Sequence, residues 1–245
     1  MILCHAVGAV LFASWLWAPT RALWDALDMS VFLRLNGILR AGRAWQVIFA
    51  IGNWRPFDLF TGCLMLGVVS HWLLAERRAH VRERLANFLA FTIVAAAVVY
   101  GIEKAEGVIG YRRPSPTKIL RDAVRLSHEV TWITVKDTSP YSFPADHAFV
   151  LMITILFLWA YAGWRRGAIA AAVFVPFMAP RLVAGAHWLT DVAIGSTVLI
   201  LVFAGWWFGS PLHSLACRAA DAVVRRLPGL AWLESQPHSQ QDEDL

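Results

Sequence analysis

The strongest constraint on the fold of this chain is a set of six apolar segments, each near the length of a bilayer crossing. A hydrocarbon core about 30 Å thick needs roughly 20 apolar residues per helical crossing. Bounded by charges, prolines or glycines, the segments fall at roughly 2–18, 57–75, 86–105, 147–163, 168–186 and 188–208. The pattern predicts an all-α polytopic membrane protein with six transmembrane helices.

The amino-acid composition agrees with a membrane protein. The chain is 58% hydrophobic and 16% charged, with a mean hydropathy of +0.53, which excludes an ordinary soluble domain. We expect one transmembrane domain over residues 1–245, with a short disordered polar tail from about residue 236.

One further helical segment, residues 22–40, is too polar to span. Its apolar residues recur with the helix period between Asp25, Asp28, Arg34 and Asn36. This pattern predicts an interfacial helix that lies along the membrane surface in contact with lipid headgroups.

The net charge of +5 is concentrated in short connecting segments. That distribution is typical of a topogenic signal and unlike a nucleic-acid-binding face. The cytoplasmic candidates are 76–85, with Arg77, Arg78, Arg82 and Arg84, and 164–167, with Arg165 and Arg166. We therefore expect residues 19–56, 106–146 and the junction near 187 on the opposite, non-cytoplasmic side of the membrane.

The most informative motif lies at one of these membrane boundaries, in Arg181-Leu-Val-Ala-Gly-Ala-His187-Trp-Leu-Thr-Asp191. On a helix, His187 and Asp191 would share a face, so the carboxylate could accept one imidazole proton and leave the other nitrogen as a nucleophile. Arg181 offers a planar fork of donors for phosphoryl oxygens.

Two more clusters lie on the same side of the membrane. Ser142-Phe-Pro-Ala-Asp146-His147 begins the fourth apolar segment, and Pro144 suits the first turn of a helix whose N-terminus favours anions. The preceding loop carries Lys136 and Asp137, and Arg112-Arg113-Pro114 follows the third segment.

Each cluster also has a plain structural interpretation. A histidine in an apolar segment is commonly a packing residue, and an arginine at a span end commonly snorkels to headgroups. His147 and His187 fit that interpretation poorly, because both have acidic and arginine neighbours on one predicted side of the membrane.

Spans three to six resemble the type-2 phosphatidic acid phosphatase superfamily. The resemblance rests on three motifs that occur in this order in a six-span chain: Arg-Pro, Pro-x-x-His and Arg-x5-His-x3-Asp. The resemblance implies His187 as a nucleophile that forms a phosphohistidine, with Asp191 as its orienting partner and His147 as the acid for the leaving group. It also implies Arg113 and Arg181 as phosphate clamps, and neither a metal nor a cofactor.

The chain departs from the family pattern at four positions. Glu106 stands where the family has Lys, Ala145 and Asp146 replace Ser and Gly, and Pro180 replaces the Ser before Arg181. Since a lysine and a hydroxyl are missing as phosphate donors, we expect Arg112 and Lys136 to substitute, with Asp146, Ser142 and Asp137 in supporting roles.

A narrower resemblance covers nearly the whole chain. The stretches Asn53–Asp58, Arg112–Thr117, Val135–Asp137, Ser142–His147 and Pro180–Asp191 are similar to those of the lipid A 1-diphosphate synthases. This implies that undecaprenyl diphosphate donates a phosphate at the periplasmic face to the 1-phosphate of lipid A, giving undecaprenyl phosphate and lipid A 1-diphosphate.

Two rival functions follow from the same residues. In a phosphatase of undecaprenyl diphosphate or of another lipid phosphate, water replaces the lipid acceptor on the same intermediate. A transporter or flippase would use the arginines only to bind headgroups, but it predicts polar residues through the midplane of several spans. The charged residues crowd one boundary instead.

Overall fold

The computed structural model describes residues 1–75, 80–109 and 112–226, without the side chains of 102–103 and 105–109. Within these ranges the chain is helical and contains no strand, only an isolated bridge between Trp54 and Val135. The all-α prediction is confirmed for this part of the chain. Arg77, Arg78, the side chain of Glu106 and the predicted disordered tail lie outside the described residues.

The helices follow one another with short connections. In chain order they are α1 (Ile2–Leu16), α2 (Ala18–Gly37), α3 (Arg43–Ile51), α4 (Arg55–Leu74), α5 (Val81–Ile109), α6 (Pro116–Ile119), α7 (Leu126–Glu129), α8 (Asp146–Ala162), α9 (Trp164–Phe174), α10 (Ala179–Val183), α11 (Thr197–Gly209) and α12 (Leu212–Val224). Two 3-10 turns, Ile38–Ala41 and Val175–Met178, and a π-helical turn, Asp191–Ser196, extend them.

Every apolar segment identified in the sequence contains a helix. In the part of the chain that the structure describes, four helical stretches are long and apolar enough to cross a bilayer: Arg55–Leu74, Val81–Gly101, Trp164–Val183 and Asp191–Gly209. The bent pair of α1 with the segment through Ala41 makes a fifth if it is taken as one span, and the apolar α8 is shorter, at 17 residues. The chain is therefore a multi-helix membrane protein.

The bend between α1 and α2 has a local cause. Trp17 adopts an extended conformation, and Pro19 occupies the first turn of α2, where its missing N–H costs nothing but prevents α1 from continuing. The two axes differ in direction by 83°. The polar segment predicted to lie at the interface is thus a separate helix, turned sharply away from α1.

The membrane-facing bundle has an aromatic centre. Phe157 of α8 packs edge-to-face against Phe91 of α5 and Trp72 of α4, at centroid distances of 5.1 and 5.4 Å. Phe91 in turn contacts Phe203 and Trp207 of α11. Such pairs contribute packing energy beyond their buried area, and here they hold four helices together.

The connection between α5 and α8 is pinned to the rest of the chain on one side of the bundle. The amide of Lys136 donates to the carbonyl of Asn53 at 3.1 Å, and the amide of Val124 donates to the side-chain oxygen of Asn36 at 2.8 Å. Leu126 and Val130 of the connection are buried in a second apolar cluster with Val183 of α10. The connection is therefore fixed to α2, to α10 and to the segment before α4.

Two glycines allow close approaches next to the start of α8. A Cβ on Gly195, in the π-helical turn, would lie 2.8 Å from the Pro144 side chain, so the turn and the Phe143–Pro144 segment meet without a side chain between them. Gly185 has a φ of +73°, which favours glycine, and a Cβ there would meet Phe32 and Thr117 at 2.7 Å. The turn before His187 depends on this conformation.

Candidate active site

His187 lies in a turn between α10 and the π-helical turn, not on a helix as the spacing predicts. The side chain is buried, and Nδ1 lies 2.7 Å from the carbonyl oxygen of Ser142. A carbonyl only accepts, so this contact favours the neutral tautomer with the proton on Nδ1 and the lone pair on Nε2. Nε2 is the nitrogen available for nucleophilic attack.

Asp191 takes a different position from the one that a shared helix face implies. Its Oδ2 is 3.6 Å from Nδ1 of His187, beyond a normal hydrogen bond, and instead accepts the backbone N–H of Trp188 at 2.7 Å. Its other oxygen is held by Arg113. Asp191 therefore fixes the turn that carries His187, and its charge lies near the imidazole without replacing the Ser142 contact.

A cavity of about 140 Å³ opens beside His187. Its polar lining includes Lys136, Ser139, Tyr141 and Asp146. Lys136 is exposed, and its ammonium forms no salt bridge with any residue that the structure describes. The cavity thus brings one predicted nucleophile, one predicted cation and one predicted supporting carboxylate together.

Asp146 links the two histidines. Its Oδ1 accepts the backbone N–H of His147 at 2.7 Å and lies 3.9 Å from Nε2 of His187. The α8 helix begins at Asp146, so Pro144 precedes its first turn and does not occupy it. The start of α8 is docked on the other motif, since the amide of Ala145 donates to the carbonyl of Asp191 at 3.1 Å.

Arg181 is buried and engaged by a carboxylate that the sequence interpretation gave no role. Its Nη2 donates to both oxygens of Asp58, each at 2.8 Å, while Nη1 makes a weak 3.5 Å contact with Asn53. Asp58 also lies 3.9 Å from Nδ1 of His147. Asp58, on the first turn of α4, therefore joins the predicted clamp to the predicted acid.

Arg113 is buried between two carboxylates behind His187. One guanidinium nitrogen contacts Asp191 and donates to Thr190 at 2.8 Å, and the other donates to Asp28 at 2.6 Å. Asp28 also accepts from the amide and the hydroxyl of Thr190, at 2.9 and 2.6 Å. Arg113 thus holds the turn that carries His187, called the catalytic turn below, against α2.

The remaining predicted residues lie around this centre. Arg112 is exposed, with its guanidinium 5.5 Å from the ring centroid of Tyr141 at the cavity rim. Ser142 contributes its carbonyl, while its hydroxyl donates to the carbonyl of Arg113 at 2.9 Å. Asp137 is fully buried and accepts the amide of Ser127 at 2.8 Å, which ties it to the loop and not to the cavity.

Sequence reasoning assigned no catalytic role to Asp28, Asn53 or Asp58. Asp58 had a usable signal, because a carboxylate one turn into an apolar segment after Arg55-Pro56 is costly unless it is paired. Asp28 had none, because Asp25 and Asp28 look alike in a polar helix and only the fold buries one of them.

Within residues 1–75, 80–109 and 112–226, no three His, Cys, Asp or Glu side chains are grouped closely enough to hold a metal ion. Three carboxylates of the site contact arginines instead: Asp28 and Asp191 contact Arg113, and Asp58 contacts Arg181.

Comparison with known proteins supplies independent information. The family model described as "PAP2 superfamily" matches residues 85–211, about half of the chain, and this range includes His147 and His187. The lipid A 1-diphosphate synthase of Escherichia coli (strain K12) is 34% identical over 233 residues, which cover 94% of each chain. No solved structure matches the chain.

Proposed function

The chain belongs to the PAP2 superfamily, and from that premise we propose that it transfers a phosphate from undecaprenyl diphosphate to the 1-phosphate of lipid A. The products are undecaprenyl phosphate and lipid A 1-diphosphate. The extent of its similarity to a lipid A 1-diphosphate synthase supports this choice of acceptor.

One observation carries the chemistry. His187 and Lys136 line the same cavity, Nδ1 of His187 is fixed by the Ser142 carbonyl, and Nε2 lies 3.9 Å from Asp146 of the cavity lining. An imidazole held in one tautomer beside a cation suits attack on an anionic phosphoryl group, since the lysine offsets the repulsion between substrate and nearby carboxylates.

In the first displacement, Nε2 of His187 attacks the terminal phosphorus of the diphosphate, and the bond to the bridging oxygen breaks. Undecaprenyl phosphate leaves with that oxygen and both bonding electrons. His147 protonates or polarises the leaving oxygen, and the carbonyl of Ser142 with the nearby Asp191 carboxylate stabilises the positive phosphoimidazole ring.

In the second displacement, an oxygen of the lipid A 1-phosphate attacks the phosphorus, and the P–N bond breaks to regenerate neutral His187. The acceptor is already an anion, so this step needs little base catalysis. Arg181, with Lys136 and Arg112, provides the positive charge that the transferring phosphoryl group requires; Arg113 supports the turn beneath it.

The membrane arrangement is part of the same proposal. All six apolar segments cross the cell inner membrane, α8 included, while α2 lies at the interface. Basic residues in 76–85 and 164–167 place those loops in the cytoplasm and the catalytic cavity at the periplasmic face.

The test follows the label in a single reaction. Purified protein is given undecaprenyl diphosphate labelled in its terminal phosphate, with and without lipid A, and every labelled product is identified. We expect label on lipid A at the 1-position and little inorganic phosphate while acceptor is present. Release of the label as inorganic phosphate regardless of lipid A would replace the transferase by a phosphatase, and an unchanged donor would favour headgroup binding without chemistry.

A further inference from the structure

An apolar groove of about 310 Å³ runs along the membrane-facing side of the bundle, between α4, α5 and α8. Small residues open it: Gly62 on α4, and Ala95 and Ala96 on α5. A Cβ added to Gly62 would meet no atom within 4 Å, so this part of the groove is open space.

The groove follows one face of each helix. On α8 its lining residues are Val150, Ile153, Thr154 and Phe157, and on α4 they are Gly62, Met65, Leu66 and Val69. On each helix these residues fall at positions i, i+3, i+4 and i+7, which lie on one face of an α-helix. On α5 the lining extends from Phe88 to Val99, about 16 Å at 1.5 Å per residue.

The two ends of the groove differ. At the end farther from the catalytic turn, Phe88, Phe91 and Phe157 pack edge-to-face at 5.1 to 5.4 Å and form an aromatic floor. At the other end is Val99, which also lines the cavity beside His187. The groove therefore adjoins the catalytic cavity at Val99, and from there it runs along α5 toward the aromatic floor.

We propose that this groove binds the first part of the single hydrocarbon chain of the phosphate donor. The proposal rests on the proposed function, because it takes the donor to be a prenyl diphosphate whose terminal phosphate meets His187. A chain leaving the cavity at Val99 would lie along α5 for about 16 Å and then continue into lipid.

The donor fits this groove better than the acceptor does. Three helices enclose a single slot, which suits one chain, whereas lipid A carries several acyl chains side by side. Lipid surrounds the protein, so the hydrophobic effect does not favour the groove over the bilayer. Close packing along its length selects and orients the chain, and thereby sets the position of the diphosphate at His187.

Two glycines of α4 provide a matched pair of variants. Gly62→Phe places a ring in the groove, whereas Gly67→Phe makes the same change on the same helix outside its lining; a Cβ meets no atom within 4 Å at either position. Ala96→Trp in the groove, with Ile93→Trp on the lipid-exposed face of α5, gives a second pair should one variant fail to fold.

Steady-state transfer is measured in mixed micelles at varied donor and varied lipid A. We expect Gly62→Phe to raise the KM for undecaprenyl diphosphate about tenfold, within the range that overpacking a filled site costs. The KM for lipid A stays unchanged, and Gly67→Phe behaves as wild type. An unchanged donor KM in both groove variants overturns the proposal, as does a rise confined to the KM for lipid A.

A second readout separates this proposal from the function on which it rests. A photoactivatable prenyl phosphate is crosslinked to the wild-type protein, and the modified peptides are identified by mass spectrometry. We expect crosslinks on α5 and α8 residues of the groove, reduced in Gly62→Phe. Crosslinks in the groove without any phosphate transfer would contradict the proposed function alone. Crosslinks spread over other lipid-facing helices would contradict the proposal that the groove binds the donor chain.

Discussion

The basic side chains around His187 differ in whether a carboxylate neutralises their charge. Arg113 contacts two buried carboxylates, Asp28 and Asp191, and Arg181 is engaged by Asp58. Lys136 borders the cavity without a salt bridge to any described residue. At the scale of single residues, the cation best placed to meet an incoming phosphate is therefore a lysine from the loop between α5 and α8.

A substitution at Lys136 tests this assignment. We expect Lys136→Ala to cost roughly 2–5 kcal/mol of transition-state stabilisation, the scale for leaving a desolvated charge unpaired, measured as the loss in kcat/KM. Lys118→Ala, at an exposed lysine of α6, is the control and should be near neutral. Arg112→Ala with a larger loss than Lys136→Ala would move the role to Arg112, and a large loss in Glu106→Gln would point to an essential carboxylate.

The sequence indicates most of the reacting groups but not their hydrogen bonds. His187, Asp146 and Lys136 do meet at one cavity, because the motifs flank helix ends that the fold docks together. The contact from His187 to the Ser142 carbonyl could not be predicted, since backbone groups carry no side-chain signal. The contacts of Arg113 with two carboxylates could not be predicted either, because Asp28 is 85 residues away from Arg113 along the chain.

At the scale of elements, α2 is coupled to the catalytic turn. Asp28 is 2% exposed and receives hydrogen bonds from Arg113 and from both donors of Thr190. Asn36, near the C-terminal end of α2, donates to the carbonyls of Val124 and Val183 at 3.0 and 3.1 Å. A helix attached at its middle and near its C-terminal end therefore holds the turn in place.

We expect Asp28→Asn to lower the free energy of unfolding by about 3 kcal/mol, since breaking a buried ion pair leaves an incompletely compensated charge on Arg113. Asp25→Asn is the control one turn earlier, where the carboxylate is half exposed and pairs with Arg21 at the surface; its cost should stay below about 1 kcal/mol. Thermal or denaturant unfolding in detergent measures both. Equal effects at the two positions would mean that Asp28 is not an anchor.

The periodicity of apolar residues and the length of apolar segments predict the helices well, but they predict the geometry of the turns less well. Each of the six apolar segments contains a helix, because one turn of unsatisfied backbone in lipid costs more than any local propensity. The spacing of His187 and Asp191 suggested one continuous helix. Gly185, at a φ of +73°, and the Trp188 N–H contact with Asp191 make a turn there instead.

At the scale of the whole molecule, the proposed reaction depends on the orientation of the chain in the membrane. A single cysteine at Ser139, in a background lacking Cys4, Cys63 and Cys217, should react with a membrane-impermeant reagent in cells whose inner membrane is intact. A cysteine at Arg165 is the control and should react only after that membrane is permeabilised. The reverse pattern would place the catalytic cavity in the cytoplasm.

The most direct test of the phosphohistidine mechanism is to trap the phosphate on His187. The protein is incubated with undecaprenyl diphosphate labelled in its terminal phosphate, without lipid A, and quenched in alkali. We expect a protein-bound label that is stable in base, lost in acid, located on His187 by peptide mass spectrometry, discharged by lipid A and absent from His187→Ala. Transfer that proceeds at a near-normal rate in His187→Ala would contradict the phosphohistidine mechanism.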